Sequence, residues 1–354
     1  MLWDIFCKVI DNHGDIGVCW RLAADLGSRG ESVRLWVDDA SALAWLAPHG
    51  ASGVQTHGWH EADAATAGDV VVEAFGCDPP APFVERMPRM APAPVWINLE
   101  YLSAEAYVER SHGLASPVMA GPGRGLTKWF FYPGFTERTG GLIREHGLMQ
   151  KRAAFDASQW LAEQGIESLP NERLMSLFCY GDAPVEALIE RAAASPTLLL
   201  ATPGHASRLA QAALGPSMRR CLLRCIALPW LTQPQFDRLL WACDLNFVRG
   251  EDSFVRAQWA GNPFVWQAYP QDDGVHLEKV DAFLARHLDD APASTAAAIK
   301  SWWTWWNGAG PLPRGSDGGD ETHAWETVSK HWTQSLAAAP DLTTRLLGFV
   351  KKVR

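Results

Sequence analysis

A parallel-sheet α/β fold is predicted by three observations. Short apolar runs of strand length recur along the chain, amphipathic stretches of helix length separate them, and the first such unit joins strand to helix through a tight polar turn. That unit is the apolar run 2–10, the turn Asp11-Asn12-His13-Gly14-Asp15-Ile16-Gly17, and a helix-like stretch from Val18 to Gly27. At 354 residues the chain is long enough for two domains, each with its own core.

Further strands are expected at 33–37, 69–75, 94–99 and 127–135, the last running into a Pro-Gly turn. A helical stretch from Arg152 to Gln164 leads into 165–171, which reads as a linker. A second alternating series follows, with strands at 174–180, 197–202, 221–227, 245–248 and 263–266. Helices are expected at 183–193, 233–243 and 253–260. The expected division is residues 1–165 and 172–335, with an amphipathic helix at about 336–354 crossing back to the first domain. Trp302, Trp305 and Trp306 fall on one side of a helix and are expected to pack. Residues 308–321, rich in Gly, Pro and Asp, read as a mobile loop.

The net charge of −9 and the absence of a basic stripe argue against nucleic-acid binding. No apolar stretch approaches the ~20 residues of a membrane span. The opening MLWDIFCKVID lacks a basic region and cleavage site, so no signal peptide is expected. Seven cysteines without a C-x-x-C pair read as buried reduced thiols of a cytoplasmic protein, and no zinc site is expected.

No P-loop, H-E-x-x-H or G-x-S-x-G is present, and Gly121-Pro122-Gly123-Arg124-Gly125 lacks the strand-to-helix context of a dinucleotide site. There is no D-x-D to hold a metal-bridged sugar nucleotide, so no metal is expected. A charged leaving group must then be held by amides, side-chain donors and helix dipoles. The segment Arg249-Gly250-Glu251-Asp252-Ser253 offers that holder, because it joins a strand to a helix start where phosphate oxygens are favoured. Asp252 or Ser253 could equally be an N-cap worth ~1 kcal/mol. Asp11 and Asp15 form an anionic strand-end turn that suits a cationic acceptor better than a phosphate; alone, Asp15 would read as a cap and Asp11 as an Asx-turn residue.

The stretches WDIFCKVIDNHGDIGVCWRLAADL, WINLEYLSAE, GLTKWFFYPGFT and CDLNFVRGEDSFVRAQWAGNPFVWQAYPQ resemble EarP, the family of protein-arginine rhamnosyltransferases acting on bacterial translation elongation factor P. The resemblance runs from residue 3 to about residue 270. It implies a GT-B fold of two facing Rossmann-like domains with a central cleft, and a dTDP-β-L-rhamnose donor. It also implies an inverting transfer to an arginine nitrogen, with no cofactor besides the donor. By the same resemblance Asp15 is the catalytic aspartate, Asp11 its companion and Glu251 the second catalytic carboxylate. Donor binding falls to Phe178, Tyr180, Trp230, Gln233, Phe236, Arg249, Asp252, Ser253 and Tyr269. Two departures are His13 and Trp230, each a flat ring where the family pattern has Phe.

The chemistry agrees. An arginine guanidinium is delocalised and charged, with pKa above ~12, so it must be oriented and deprotonated as the new bond forms. Asp15 is expected as general base, with Glu251 supporting acceptor or donor sugar, and Asp252, Ser253 and the helix start holding the diphosphate. The rival readings are a sugar-nucleotide epimerase or small-molecule glycosyltransferase of the same architecture, and a non-catalytic module binding a translation factor.

Overall fold

The computed structural model describes residues 1–10, 13–271, 274–313 and 319–354, with the backbone alone at 319–321. It divides into two compact units, Met1–Leu148 with Ala337–Arg354, and Met149–Leu336.

The first unit is built on the strands β1 (Leu2–Cys7), β2 (Ser32–Val37), β3 (Val54–Gly58), β4 (Val70–Ala74), β5 (Val95–Leu99), β6 (Ala115–Pro117) and β7 (Thr127–Phe131). They form one sheet in the order β3-β2-β1-β4-β5-β7-β6, parallel except for the β6–β7 pair. β4 and β5 are buried at every residue, as parallel strands covered on both faces must be, which is why they read as unbroken apolar runs. β1 pairs with both β2 and β4. The chain leaves β1 toward one edge and returns to the other side of it, which creates a topological switch point at its C-terminal end.

The second unit holds β8 (Arg173–Leu177), β9 (Thr197–Ala201), β10 (Arg219–Arg220), β11 (Leu223–Ala227), β12 (Leu245–Arg249) and β13 (Phe264–Gln267). Their order is β10-β11-β9-β8-β12-β13, with only β10–β11 antiparallel. Here the switch point lies between β8 and β12. The helices Gln233–Ala242 and Gly250–Ala260, which flank β12, are locked by a bidentate pair of Arg256 with Asp237, both bonds 2.8 Å. Both residues are almost wholly buried, so losing either leaves a buried charge without this bidentate pairing.

Several sequence-based expectations change. The unit boundary falls at 148/149 rather than near 165. The reason is burial: Trp160, Leu161 and Ile166 pack with Leu198, Leu200 and Leu239 in the second core. The expected helix 152–164 is two helices, Leu148–Ala153 and Ala157–Glu163, because Asp156 caps the second by accepting from Gln159 N. The helix expected from Ser253 begins at Gly250. β3 and β6 were not expected, and Glu321 belongs to the helix Gly319–Ala338 rather than to a loop. Residues 314–318 of that expected loop lie outside the described residues. Cys221 is exposed, whereas the other six cysteines are buried; all seven are free thiols.

The C-terminal helix Leu342–Val353 places Leu342, Leu346 and Val350 in the first unit's core at helical spacing. Asp341 caps it by accepting from Thr344 N at 2.9 Å and also pairs with Arg29 at 2.7 Å. Trp302, Trp303, Trp305 and Trp306 are all buried, Trp303 donating to the Phe264 carbonyl at 3.0 Å, so this cluster is core. Among the described residues no helix is long and apolar enough to cross a membrane.

Candidate active site

Each sheet places its chemistry at its own switch point. In the first unit, β1 ends at Cys7 and the helix Gly14–Ser28 begins just beyond, so Asp15 falls in that helix's first turn. Asp15 is 3% exposed. It does not act as the cap: His13 occupies that position, and its ring meets Trp45 edge-on. Instead one Asp15 carboxylate oxygen accepts the Ile10 amide at 2.8 Å and the other accepts the Tyr101 hydroxyl at 3.3 Å. A carboxylate at the N-terminal turn of a helix also gains from the dipole. Asp11 lies outside the described residues.

Tyr101 follows the C-terminal end of β5 and stacks on Phe75, centroids 4.2 Å apart at 11°. Phe75 follows β4 and takes a left-handed backbone, φ 58°, which is uncommon for a bulky residue and marks a constrained position. The adjoining Asn98 donates to Glu100 at 2.8 Å and accepts from the Gly76 amide. Burial holds the Glu100 carboxyl above its ordinary range. The hydroxyls of Tyr107 and Tyr132 are raised by burial and by nearby negative charge, Glu105 and Glu100 for the first and Glu100 for the second. Glu100, Tyr107 and Tyr132 thus share one acidic, tyrosine-rich patch, and Glu100 is the residue before Tyr101.

In the second unit, Phe178 and Tyr180 follow β8, Trp230 and Gln233 follow β11, Arg249 ends β12, and Tyr269 follows β13. All sit beyond the carboxyl ends of parallel strands, where open α/β sheets bind ligands. Arg249 is 92% buried, at 8% exposure, and its guanidinium lies 4.6 Å from the Phe178 ring centroid and 4.3 Å from that of Tyr180. Its Nε and Nη1 have no hydrogen-bond partner. A buried arginine held by two ring faces with nitrogens unmatched is equipped for an anion. Phe236 meets Phe178 edge-on at 5.7 Å, and Tyr269 meets Tyr180 at 5.4 Å. Trp230 and Tyr269 are half exposed, whereas Gln233 is buried in the first turn of its helix.

Glu251 and Asp252 share the first turn of the helix Gly250–Ala260. Ser253 Oγ accepts the Arg249 amide at 3.0 Å and donates to the Arg249 carbonyl. The hydroxyl thus supports the turn that shapes Arg249, at a helix start whose backbone amides favour an anion.

Two residues that sequence pattern did not mark as site residues each support one of these regions, one in each unit. Gln267, 2% exposed, accepts the Tyr180 amide at 2.8 Å and donates to Asp182 at 3.0 Å. In the first unit Tyr101 does the corresponding work for Asp15. The available signal for both was position just past, or at, a strand's C-terminal end. Among the described residues no group of His, Cys, Asp and Glu is arranged to hold a metal ion.

Two doubly wound sheets in one chain are the GT-B architecture, and together with its relatives they place the protein among the GT-B glycosyltransferases. Solved structures of that fold align over the whole chain: glycosyltransferase VinC in complex with dTDP matches with TM-score 0.55 at 11% identity, covering 99% of each chain. A structure described as the structural basis for EarP-mediated arginine glycosylation of translation elongation factor EF-P matches with TM-score 0.68 and 31% identity over 99% of each chain. The profile of the family "Elongation-Factor P (EF-P) rhamnosyltransferase EarP" matches residues 3–351. The protein-arginine rhamnosyltransferase of Pseudomonas aeruginosa is 41% identical, over 98% of each chain. That of Neisseria meningitidis is 37% identical, over 98% of this chain and 96% of its own. The chain belongs to the EarP family and is a protein-arginine rhamnosyltransferase.

Proposed function

We propose that the enzyme transfers L-rhamnose from dTDP-β-L-rhamnose to an arginine side chain of translation elongation factor P, in one inverting displacement. The observation that carries this reading is Asp15, a buried carboxylate held through both oxygens by Ile10 and Tyr101. Such a group is fixed in direction and suited to orient a planar guanidinium and take its proton as the bond to the sugar forms. Glu251 is read as the second carboxylate, and Asp11 as companion to Asp15. The acceptor is a translation factor, so the reaction is read as cytoplasmic.

On the donor side, Phe178, Tyr180, Phe236 and Trp230 supply flat apolar faces for a base, with Gln233 and Tyr269 beside them. The unmatched nitrogens of Arg249 and the helix start at Gly250–Ser253 supply the positive field for a departing diphosphate. The reaction is read as needing no metal and no cofactor besides the donor. This rests on the lack of a D-x-D motif together with a buried arginine where the leaving charge would develop.

The test is mass spectrometry of elongation factor P incubated with the enzyme and either dTDP-β-L-rhamnose or UDP-glucose, with and without EDTA. We expect one deoxyhexose on a single arginine, from the thymidine donor alone, unaffected by chelator. Transfer from UDP-glucose at a comparable rate would overturn the donor assignment. Loss of activity in EDTA, restored by added metal, would overturn the metal-free reading.

A further inference from the structure

His205 lies outside every residue set considered so far, yet its surroundings belong to the donor site. It opens the helix His205–Leu214, just after β9, in the sheet position next to β8. Gly204 before it has φ 93° and ψ −126°, a conformation that glycine alone adopts readily, so the chain turns sharply to bring the ring back toward the strand ends. The ring packs against the segment after Tyr180: a Cβ on Gly181 would lie 2.8 Å from His205 Nδ1. Gly181 therefore leaves room for the imidazole beside the loop that carries Tyr180 and Asp182.

The tautomer follows from its partner. Arg208 Nη2 lies 3.0 Å from Nδ1, and a guanidinium nitrogen only donates. Nδ1 is therefore the acceptor, and the neutral ring carries its proton on Nε2. The charged groups acting on it come from three elements. Arg208 on its own helix and Arg249 at the end of β12 are positive, and Asp182 after β8 is negative. Burial first, then the two arginines, lower its basicity, which favours the neutral ring. The ring thus lies against Gly181, the residue after Tyr180, and the Tyr180 ring in turn holds the Arg249 guanidinium at 4.3 Å, so an N–H donor and a buried arginine with two unmatched nitrogens flank the same loop.

We propose that His205 is a donor-binding residue whose Nε2–H, alongside Arg249, holds the diphosphate of the sugar nucleotide. The inference rests on the donor reading above. It has a consequence for pH. A bound diphosphate offsets the field of Arg208 and Arg249, so the ring gains a proton on Nδ1 more readily in the complex than in the free enzyme, the Arg208 Nη2 turning away from that nitrogen as it does. Binding then takes up a proton, and affinity rises as pH falls through the range where histidine titrates.

The experiment is calorimetric titration of dTDP-β-L-rhamnose and of thymidine into wild type, His205→Ala and His205→Gln, at about pH 8 and about pH 6. The diphosphate of this donor is a diester and has no proton of its own to exchange in that interval. We expect His205→Ala to weaken the donor roughly tenfold, as for a lost hydrogen bond to a charged group, and to leave thymidine unchanged. His205→Gln keeps an N–H donor and should retain affinity at pH 8 while losing the tightening at pH 6. An unchanged donor Kd in His205→Ala, an equal loss for thymidine, or a pH dependence that survives in His205→Gln would each overturn the proposal. Failure of wild type to prefer dTDP-β-L-rhamnose over UDP-glucose would instead overturn the donor reading itself.

Discussion

Replacing Tyr101 by Phe removes one hydroxyl and keeps everything else that the ring does. The lost bond to Asp15 is 3.3 Å, longer than the 2.7–2.8 Å usual for O–H···O, so it belongs at the weak end for a charged acceptor, about 1 kcal/mol. The stack on Phe75 at 4.2 Å survives, and so does the 2.8 Å bond from Ile10 to the other carboxylate oxygen. Asp15 thus loses the hydroxyl that orients one of its oxygens, and kcat should fall about fivefold. Tyr101→Ala removes the stack as well, worth about another 1 kcal/mol, for a total near thirtyfold. The assay is the initial rate of arginine rhamnosylation at saturating donor, by intact mass. If Tyr101→Phe matches wild type, the hydroxyl does not position Asp15. If it is as inactive as a variant lacking the carboxylate, Tyr101 has a direct chemical role that this geometry does not assign.

Three further outcomes test the frame around the site. Asp237→Ala leaves Arg256 charged, buried and without its bidentate partner, and should lower unfolding free energy by about 3 kcal/mol or more in urea denaturation. Leu346→Ala, in the C-terminal helix and fully buried, should cost about 2–5 kcal/mol of the first unit's stability; a change within error would mean that the helix does not complete that core. His287 is 5% exposed among aromatic rings, and burial lowers its pKa to about 3. The unfolded chain, at its ordinary value near ~6.5, binds the extra proton between these limits, so stability is full above that range and is lost as pH falls through it. By about pH 4.5 the loss should be about 3 kcal/mol, and His287→Phe should abolish this share of the acid sensitivity.

What could be read in the chain depended on how locally each feature was encoded. Val70–Ala74 and Val95–Leu99 are buried on both faces, and their unbroken apolar runs were legible as strands. Val54–Gly58 reads VQTHG, a half-exposed strand whose place is fixed by pairing with β2, and no local pattern announces it. The start of the helix after β12 is obscured in the sequence because its first residue, Gly250, is a poor helix former with φ 64°, and Glu251 and Asp252 follow it directly.

The site divides in the same way. Asp15, Arg249 and Glu251 stand at strand-to-helix junctions, a position that sequence pattern reveals. Tyr101 and Gln267 bond residues 86 and 87 positions away, and the His205 ring packs on Gly181, 24 positions away; only the sheet register brings them there. Their side chains are ordinary for strand ends, so their roles were hidden until the strand order was known. Ser253 adds a feature that the motif alone does not show: its hydroxyl bonds both the Arg249 amide and the Arg249 carbonyl and so shapes the turn that carries the arginine.

The most direct test of the central claim is the single-turnover rate of rhamnose transfer to elongation factor P by Asp15→Asn, on enzyme verified to be folded and to bind dTDP-β-L-rhamnose like wild type. The amide preserves size and loses the capacity to take a proton. A general base of this kind should slow the chemical step by about 10²–10⁴-fold with donor affinity unchanged. Transfer at near the wild-type rate would contradict the account, because the buried carboxylate at the first switch point would then not be the group that activates the arginine.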